Sequence, residues 1–250
     1  QLSYTTKIKR PFYNQLSSNM RYMNRFTYMS GNPDLKPETI HDLTLSGSYK
    51  WLQFMISYQR EKDAILYITE QYEKNPAITT VTHRNFNRID NFSAFLTASP
   101  AVGSWHPQLT VGVQKQWAKI EHNGETLQMD TPLFFCTLNN GIQLPYHWTL
   151  STDINFQSKG DYQNIYMYQN VFMMNATLTK SFLNEHLSIH LQGIDLTHGR
   201  KDGNRIYNKH MNMDVANVSD SRELRFTIRY KFNTAKSKYK GKGAATEEIK

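Results

Sequence analysis

His186 and His190 stand four residues apart, with Leu187, Ile189 and Leu191 on the opposite parity, so an extended chain would put both imidazoles on one side. A hydrolase needs such a base beside a nucleophile and an orienting group at one rim. No such trio is legible here, and plain polar or turn positions account for the pair more simply. His198, Asp202 and His210 offer imidazole and carboxylate, which are competent metal ligands, but their separation within one polar stretch fits no ligand spacing. That stretch also carries Arg200, Lys201, Arg205 and Lys209, four cations that could draw an anionic ligand. A solvated charged loop is the commoner reading of such a run. Thr149, Asp153, Asn155 and Gln157 alternate with apolar neighbours and could offer a polar track to a solute or to water. Cys136 is the only cysteine, so neither an intrachain disulfide nor a cysteine-based zinc site exists, and it reads as a small apolar side chain. These residues predict no enzyme, no cofactor and no metal site.

The elements that must position these groups are strands. From Leu224 to Phe232 the chain reads Leu-Arg-Phe-Thr-Ile-Arg-Tyr-Lys-Phe, putting Leu224, Phe226, Ile228, Tyr230 and Phe232 on one face and Arg225, Thr227, Arg229 and Lys231 on the other. The same rhythm recurs from Leu2 to Lys9, from Leu43 to Trp51, from Phe54 through Ile65 to Thr69, from Ile78 to Ala98, and from Leu109 to Glu121. It returns from Leu133 to Leu144, from Trp148 to Gln157, from Phe172 to Leu178 and from Leu187 to Leu191. Gly193 precedes a change of parity at Ile194 and Leu196, which predicts a glycine bulge. A long polar loop is expected from Thr197 to Ser221.

About ten strands result, and their connections sort by length. Lys50-Trp51, Ser99 to His106, Pro145 to His147 and Leu183 to His186 are short. Between them fall longer hydrophilic connections, one of which turns at His122-Asn123-Gly124-Glu125, where Asn-Gly is a strong hairpin signal. A soluble sandwich has no reason to sort its connections onto two ends, whereas outer-membrane barrels have short periplasmic turns and long external loops. The expected fold is therefore all-β, an antiparallel up-and-down transmembrane β-barrel with about ten C-terminal strands of a larger barrel. No apolar run is long enough for a transmembrane helix. Barrel strands show only alternate residues to lipid, so a mean hydropathy of −0.64 is compatible with a membrane protein. Aromatic residues make up 13% of the chain, enough for girdles at both interfaces. Lysine and arginine number 29 against 21 acids, but no recognition helix or zinc-finger spacing accompanies the charge, which argues against a nucleic-acid partner.

At the motif level the chain resembles the C-terminal barrel half of TonB-dependent outer-membrane receptors, in particular the SusC-related outer-membrane β-barrel family. Gly31-Asn32-Pro33-Asp34-Leu35-Lys36-Pro37-Glu38 is similar to that family's G-N-P-x-L-K-P-E element ahead of a strand. Arg10-Pro11-x-Tyr13 with Leu16 is similar to its R-P-x-Y-x-x-L segment, and Arg225 to Gly241 to its last strand and short basic tail. The resemblance implies a receptor and transporter for TonB-dependent nutrient uptake across the outer membrane of a Gram-negative bacterium, with glycan, peptide, siderophore and vitamin as candidate substrate classes. It implies as partners outer-membrane lipid and lipopolysaccharide, the TonB complex through a plug domain not present in these residues, and a surface lipoprotein. On this reading residues 1–232 are the barrel part and 233–250 a basic, disordered periplasmic tail. Leu2 already reads as strand, so the sequence is expected to begin inside a domain. Asp153 and Asn155 become lumen candidates for substrate, and Arg200, Lys201, Arg205 and Lys209 loop candidates for substrate or lipopolysaccharide phosphate. Two other classes fit the alternation: a passive porin or structural outer-membrane barrel, and a soluble β-sandwich adhesin module.

Overall fold

The structure, a computed structural model, describes all residues except 73, 74, 76, 123, 208–211 and 233–250. The basic tail proposed after residue 232 lies outside the described residues. Ten strands form one antiparallel meander: β1 (Leu2–Lys9), β4 (Glu38–Tyr49), β5 (Leu52–Gln71), β6 (Thr79–Ala98), β7 (Trp105–His122), β9 (Leu133–Leu144), β10 (Trp148–Gln157), β13 (Val171–Phe182), β14 (Leu187–Ile194) and β17 (Glu223–Tyr230). Each pairs with the next, as an up-and-down barrel wall requires. Among the described residues β1 and β17 do not pair with each other, so the sheet is an open arc. β2 (Arg21–Asn24) and β3 (Thr27–Met29) form a hairpin laid parallel on β6, after a single helical turn, α1 (Tyr13–Leu16). β8 (Glu125–Met129) folds back on β7 as the Asn-Gly tip predicts.

The cross-strand register explains the alternation. On one face, Leu2, Leu45, Ile56, Ala94, Val113 and Phe134 form a continuous row. Gly47, Phe54, Leu96, Val111, Cys136, Phe156 and Phe172 form the row beside it. Many of these large apolar side chains are exposed, Leu45 at 42% and Phe54 at 42% among them, so the face is not the inside of a soluble core. Aromatic rings flank the band: Tyr4, Tyr58 and Phe92 toward the long-loop end, Trp51, Trp105, Trp148 and Phe182 toward the short-turn end. The terminal strand obeys the same rule, with Leu187↔Tyr230, Ile189↔Ile228 and Leu191↔Phe226 pairing apolar to apolar.

The short turns all lie at one end and are built largely from non-glycine residues in the left-handed region. Lys50, Tyr146 and His147 adopt φ of 53°, 60° and 61°, and Leu183, Asn184 and Glu185 adopt 52°, 51° and 66°. Two expectations change. Gly193 makes no bulge, because the pairs Ala176↔Gly193 and Gly193↔Leu224 continue an unbroken register. The parity fault arises two residues later, where the chain leaves the strand at Asp195 (φ 45°) and Leu196 folds back until a Cβ on Gly193 would lie 2.6 Å from its Cδ2. Nor is the region from Thr197 to Ser221 only a loop, since it holds β15 (Lys201–Tyr207) and β16 (Asn212–Val218), a paired hairpin.

The G-N-P-x-L-K-P-E segment acts as a bracket. Gly31 and Asn32 donate to the carbonyls of Ser17 and Gln15, and a Cβ at Gly31 would meet those oxygens at 2.6 and 2.4 Å, so only glycine fits. Asn32 Nδ2 donates to the His83 carbonyl at 3.1 Å while its Oδ1 accepts from Asp34 N at 2.9 Å. Asn85 holds the next step, accepting from Lys36 N at 2.8 Å and donating to Lys36 O at 3.0 Å. Leu35 is buried, and the buried Glu38 accepts from Ile65 N at 2.6 Å and pairs with Lys9 at 2.8 Å. The segment fixes backbone shape.

Toward their long-loop ends β5, β6 and β7 rise beyond the apolar band. There Ala64, Leu66, Ile89, Ala118, Ile120 and Met129 form the buried cluster of the molecule. His83, 5% exposed with its ring centroid 4.3 Å from that of Tyr67 and tilted 44° to it, has no hydrogen-bond partner for either ring nitrogen. Burial holds its pKa below the ordinary 6.5. A base with a depressed native pKa contributes stability that is present above its unfolded value and lost as pH falls below it. The amides at the upper ends of β5 and β6 are therefore expected to show smaller protection factors, that is, exchange rates corrected for the base-catalysed intrinsic rate, at pH 5.5 than at pH 8, with His83→Phe removing that dependence. Protection factors that do not change with pH in the wild type would reject this.

Candidate functional site

The face opposite the apolar band is polar from strand to strand. Gln108, Asn139, Asp153 and Asn175 occupy one row, and Gln53, Thr97, Thr110, Thr137, Asn155 and Met173 another. Side chains bond laterally: Thr97 Oγ1 lies 2.9 Å from Thr110 Oγ1, and Thr137 Oγ1 donates to Asn155 Oδ1 at 3.1 Å. His190 lies on this face, 3.0 Å from Thr179 Oγ1 and 2.9 Å from Ser188 Oγ. Both its nitrogens are occupied by hydroxyl groups, which makes it a structural histidine. Asp153 and Asn155 thus fall on the polar face, as the alternation predicts.

Above this wall lies a second, four-stranded sheet in the order β11 (Gly160–Tyr162), β12 (Ile165–Met167), β15, β16. It gathers the connection between β10 and β13 and the one between β14 and β17 into one layer, through Tyr166↔Arg205 and its neighbours. Three contacts seat it. Gln116, buried on β7, donates to Gln163 O at 2.7 Å and accepts from Gln163 N at 2.6 Å, a reciprocal clamp. Asn164, 1% exposed, donates to Tyr67 O at 2.7 Å and Tyr207 O at 3.2 Å. Tyr166 and Tyr207 pack against the buried cluster. At the sheet's other margin Asp161 accepts from Thr131 N at 2.8 Å. Desolvation pushes the Asp161 carboxyl above its ordinary value, and the hydrogen bonds from Thr131 oppose this.

Asp195 is the knot of the longer connection. Its carboxylate accepts from Gly199 N at 2.8 Å, Arg200 N at 3.2 Å and Thr197 Oγ1 at 3.4 Å, and from the Ser221 hydroxyl. Its own backbone N donates to Asn175 Oδ1 at 2.9 Å, joining the knot to the polar wall. Desolvation acts to raise its pKa, but the hydrogen bonds from Ser221, Gly199, Arg200 and Thr197 outweigh it and the net direction is down. Both ends of the β15–β16 excursion are tied at one side chain.

The cations of that excursion have separate fates. Arg200 contributes its backbone N to the knot and leaves its side chain exposed. Lys201 opens β15. Arg205 is bound bidentately by Asp214, Nε to Oδ1 at 2.6 Å and Nη2 to Oδ2 at 3.0 Å, so its charge is already partnered. Lys209 and His210 lie outside the described residues. Among the described residues no group of three or more His, Cys, Asp or Glu side chains could hold a metal ion. Asp195, Gln116 and Asn164 escape sequence reasoning. Only the parity fault after Gly193 marked the first of them.

Residues 1–230 match the family model described as the outer membrane protein beta-barrel family. No curated protein matches the sequence. Among solved structures the chain is similar to the outer membrane transporter YddB from Escherichia coli, at 12% identity and TM-score 0.44, covering 81% of this chain and 33% of that one. It is also similar to the ferric enterobactin receptor PfeA in complex with BCV-L6, at 14% identity and TM-score 0.45, covering 91% of this chain and 37% of that one. The chain spans about a third of the length of these structures.

Proposed function

This chain belongs to the outer membrane protein β-barrel family, a protein of the Gram-negative outer membrane, and from that premise we propose that it forms the C-terminal wall of a SusC-related, TonB-dependent receptor that imports a nutrient. In this reading the apolar band seals against lipid, and the polar wall carrying Asp153 and Asn155 lines the passage. The four-stranded sheet on the long-loop side offers substrate a rigid external surface. A plug outside these residues gates the lumen and couples it to the TonB complex, with a surface lipoprotein as a further partner. The protein performs no catalysis.

The observation that supports the receptor reading best is the seating of the loop sheet. A loop layer held by Gln116, Asn164 and a packed tyrosine pair is preorganised, and preorganised surfaces lose little ordering entropy when a ligand binds. The test is uptake by cells carrying the full-length protein. Transport of candidate nutrients is expected to cease when the proton gradient is collapsed or the TonB complex is deleted, with surface binding retained. Uptake that continues unchanged under both treatments would identify a passive pore instead.

A further inference from the structure

The apolar band gives way at its long-loop margin to a compact cationic patch on the same outward face. In β5 the outward positions run Leu52, Phe54, Ile56, Tyr58, Arg60, Lys62. A tilted strand crosses hydrocarbon in about 9–11 residues, so Arg60 and Lys62 arrive at the boundary. The register brings their neighbours to the same height. Thr6, His41, Arg60, Asp90 and Trp117 form one row, and Ile8, Thr39, Lys62 and Arg88 the next. Tyr4, Leu43, Tyr58, Phe92 and Lys115 lie directly below. A cleft of about 370 Å³ opens here, lined by Tyr4, His41, Leu43, Tyr58, Arg60 and Lys62.

The patch is built. Asp90, 6% exposed, accepts from Tyr58 Oη at 2.8 Å, Arg60 Nε at 2.8 Å and Arg88 Nε at 2.5 Å. One buried carboxylate thereby fixes two guanidinium groups whose side chains stay 39% and 53% exposed. Lys62 is exposed and has no ion-pair partner among the described residues. Asp90 pairs with Arg60 and Arg88 only, which leaves Lys62 and Lys115 as further cations beside it. Below them the wall is aromatic and aliphatic, so a ligand that meets both zones is anionic at its head and apolar below. A soluble anion would gain nothing from the lower zone. Guanidinium groups with fixed orientation suit phosphate oxygens, which they can bind through two parallel N–H donors.

We propose that the Arg60–Lys62–Arg88 patch, positioned by Asp90, binds the phosphate head of an outer-leaflet glycolipid whose acyl chains lie against Leu43, Leu45 and Ile56. The proposal rests on the long loops being external, and it is independent of which nutrient the barrel carries.

The test uses the full-length protein in detergent micelles, with native mass spectrometry of added bis-phosphorylated lipid A, dephosphorylated lipid A and inorganic phosphate. Bis-phosphorylated lipid A is expected to bind. Lys62→Gln with Arg88→Gln is expected to weaken it by about tenfold or more, with Asp90 still held by Arg60 and Tyr58. Arg225→Gln with Arg229→Gln, an equal loss of charge on the opposite face of β17, is expected to leave binding unchanged. Equal binding of the dephosphorylated lipid, or equal loss in both double variants, would overturn the proposal. Displacement of the lipid by millimolar inorganic phosphate would reassign the patch to a free anion and overturn it too. Orientation is read separately, by impermeant maleimide labelling of Glu125→Cys in a Cys136→Ala background on intact cells. Failure to label would sink the external assignment, whereas labelling without lipid selectivity would sink the patch alone.

Discussion

Ile56→Arg is expected to lower the stability of the full-length barrel in lipid vesicles by about 2 to 4 kcal/mol, the depth-dependent cost of a cation at the bilayer midplane. Ile56 sits halfway between Leu52 at the short turn and Arg60 at the upper margin, and it pairs with Leu45 and Ala94 inside the apolar band. The guanidinium there has hydrocarbon on one side and aliphatic neighbours on the others. Ser57→Arg, one residue along, moves the same charge to the row of Thr44 and Ser93 on the polar face. It is expected to cost less than about 1 kcal/mol, since water remains available to it. Denaturant unfolding in vesicles reads both. Equal losses at the two positions would mean that the faces are assigned wrongly, whatever their absolute size.

The second large effect belongs to Asp195. Replacing it with alanine strips the acceptor from the amides of Gly199 and Arg200 and from the hydroxyl of Ser221 at a site only 2% exposed. A buried donor left without a partner costs about 1–3 kcal/mol, so Asp195→Ala is expected to favour opening of the β15–β16 excursion by about 2 to 4 kcal/mol in total. Asp195→Asn keeps one acceptor oxygen and should lose less. Amide exchange at Gly199 and Arg200 reports the opening directly. The wild type carries its own control, because a carboxylate whose native pKa lies below the ordinary 3.8 supplies stability above that value and loses it as acid protonates the folded form. Protection at Gly199 and Arg200 should therefore hold at neutral pH and collapse only in strong acid. Unchanged exchange in Asp195→Ala would show that the knot ties nothing.

The barrel wall was legible in the sequence because its signal is local. Leu2 to Lys9, Leu133 to Leu144 and Trp148 to Gln157 each declare a strand by parity alone, and the structure places β1, β9 and β10 at those bounds. The short turns were equally plain, although nothing in Leu183-Asn184-Glu185 announces three successive left-handed residues; the flanking strands impose that shape. The site was less legible because its parts are distant in sequence. Gln116 and Gln163 look like ordinary surface residues until the loop layer brings them together, and Asn164 meets Tyr67 across 97 positions. Parity alone also misreads Gly193, because a strand that ends leaves the same mark as a strand that bulges. The charged run of 200–209 was visible, but the acid that occupies Arg205 lies on the returning strand.

Among the described residues β1 and β17 each keep one flank without a strand partner, and this carries a consequence for solvation. Hydrocarbon offers no hydrogen bonds, and each backbone N–H or C=O left bare within it costs several kcal/mol. Eight residues on either flank would make a lone arc intolerable in the bilayer, however well its outer surface suits lipid. Ten staves hold water out only once the hoop is complete, so further strands or a second copy must finish the circumference. Residues 1–250 produced by themselves should stick flank to flank into sheets instead of inserting.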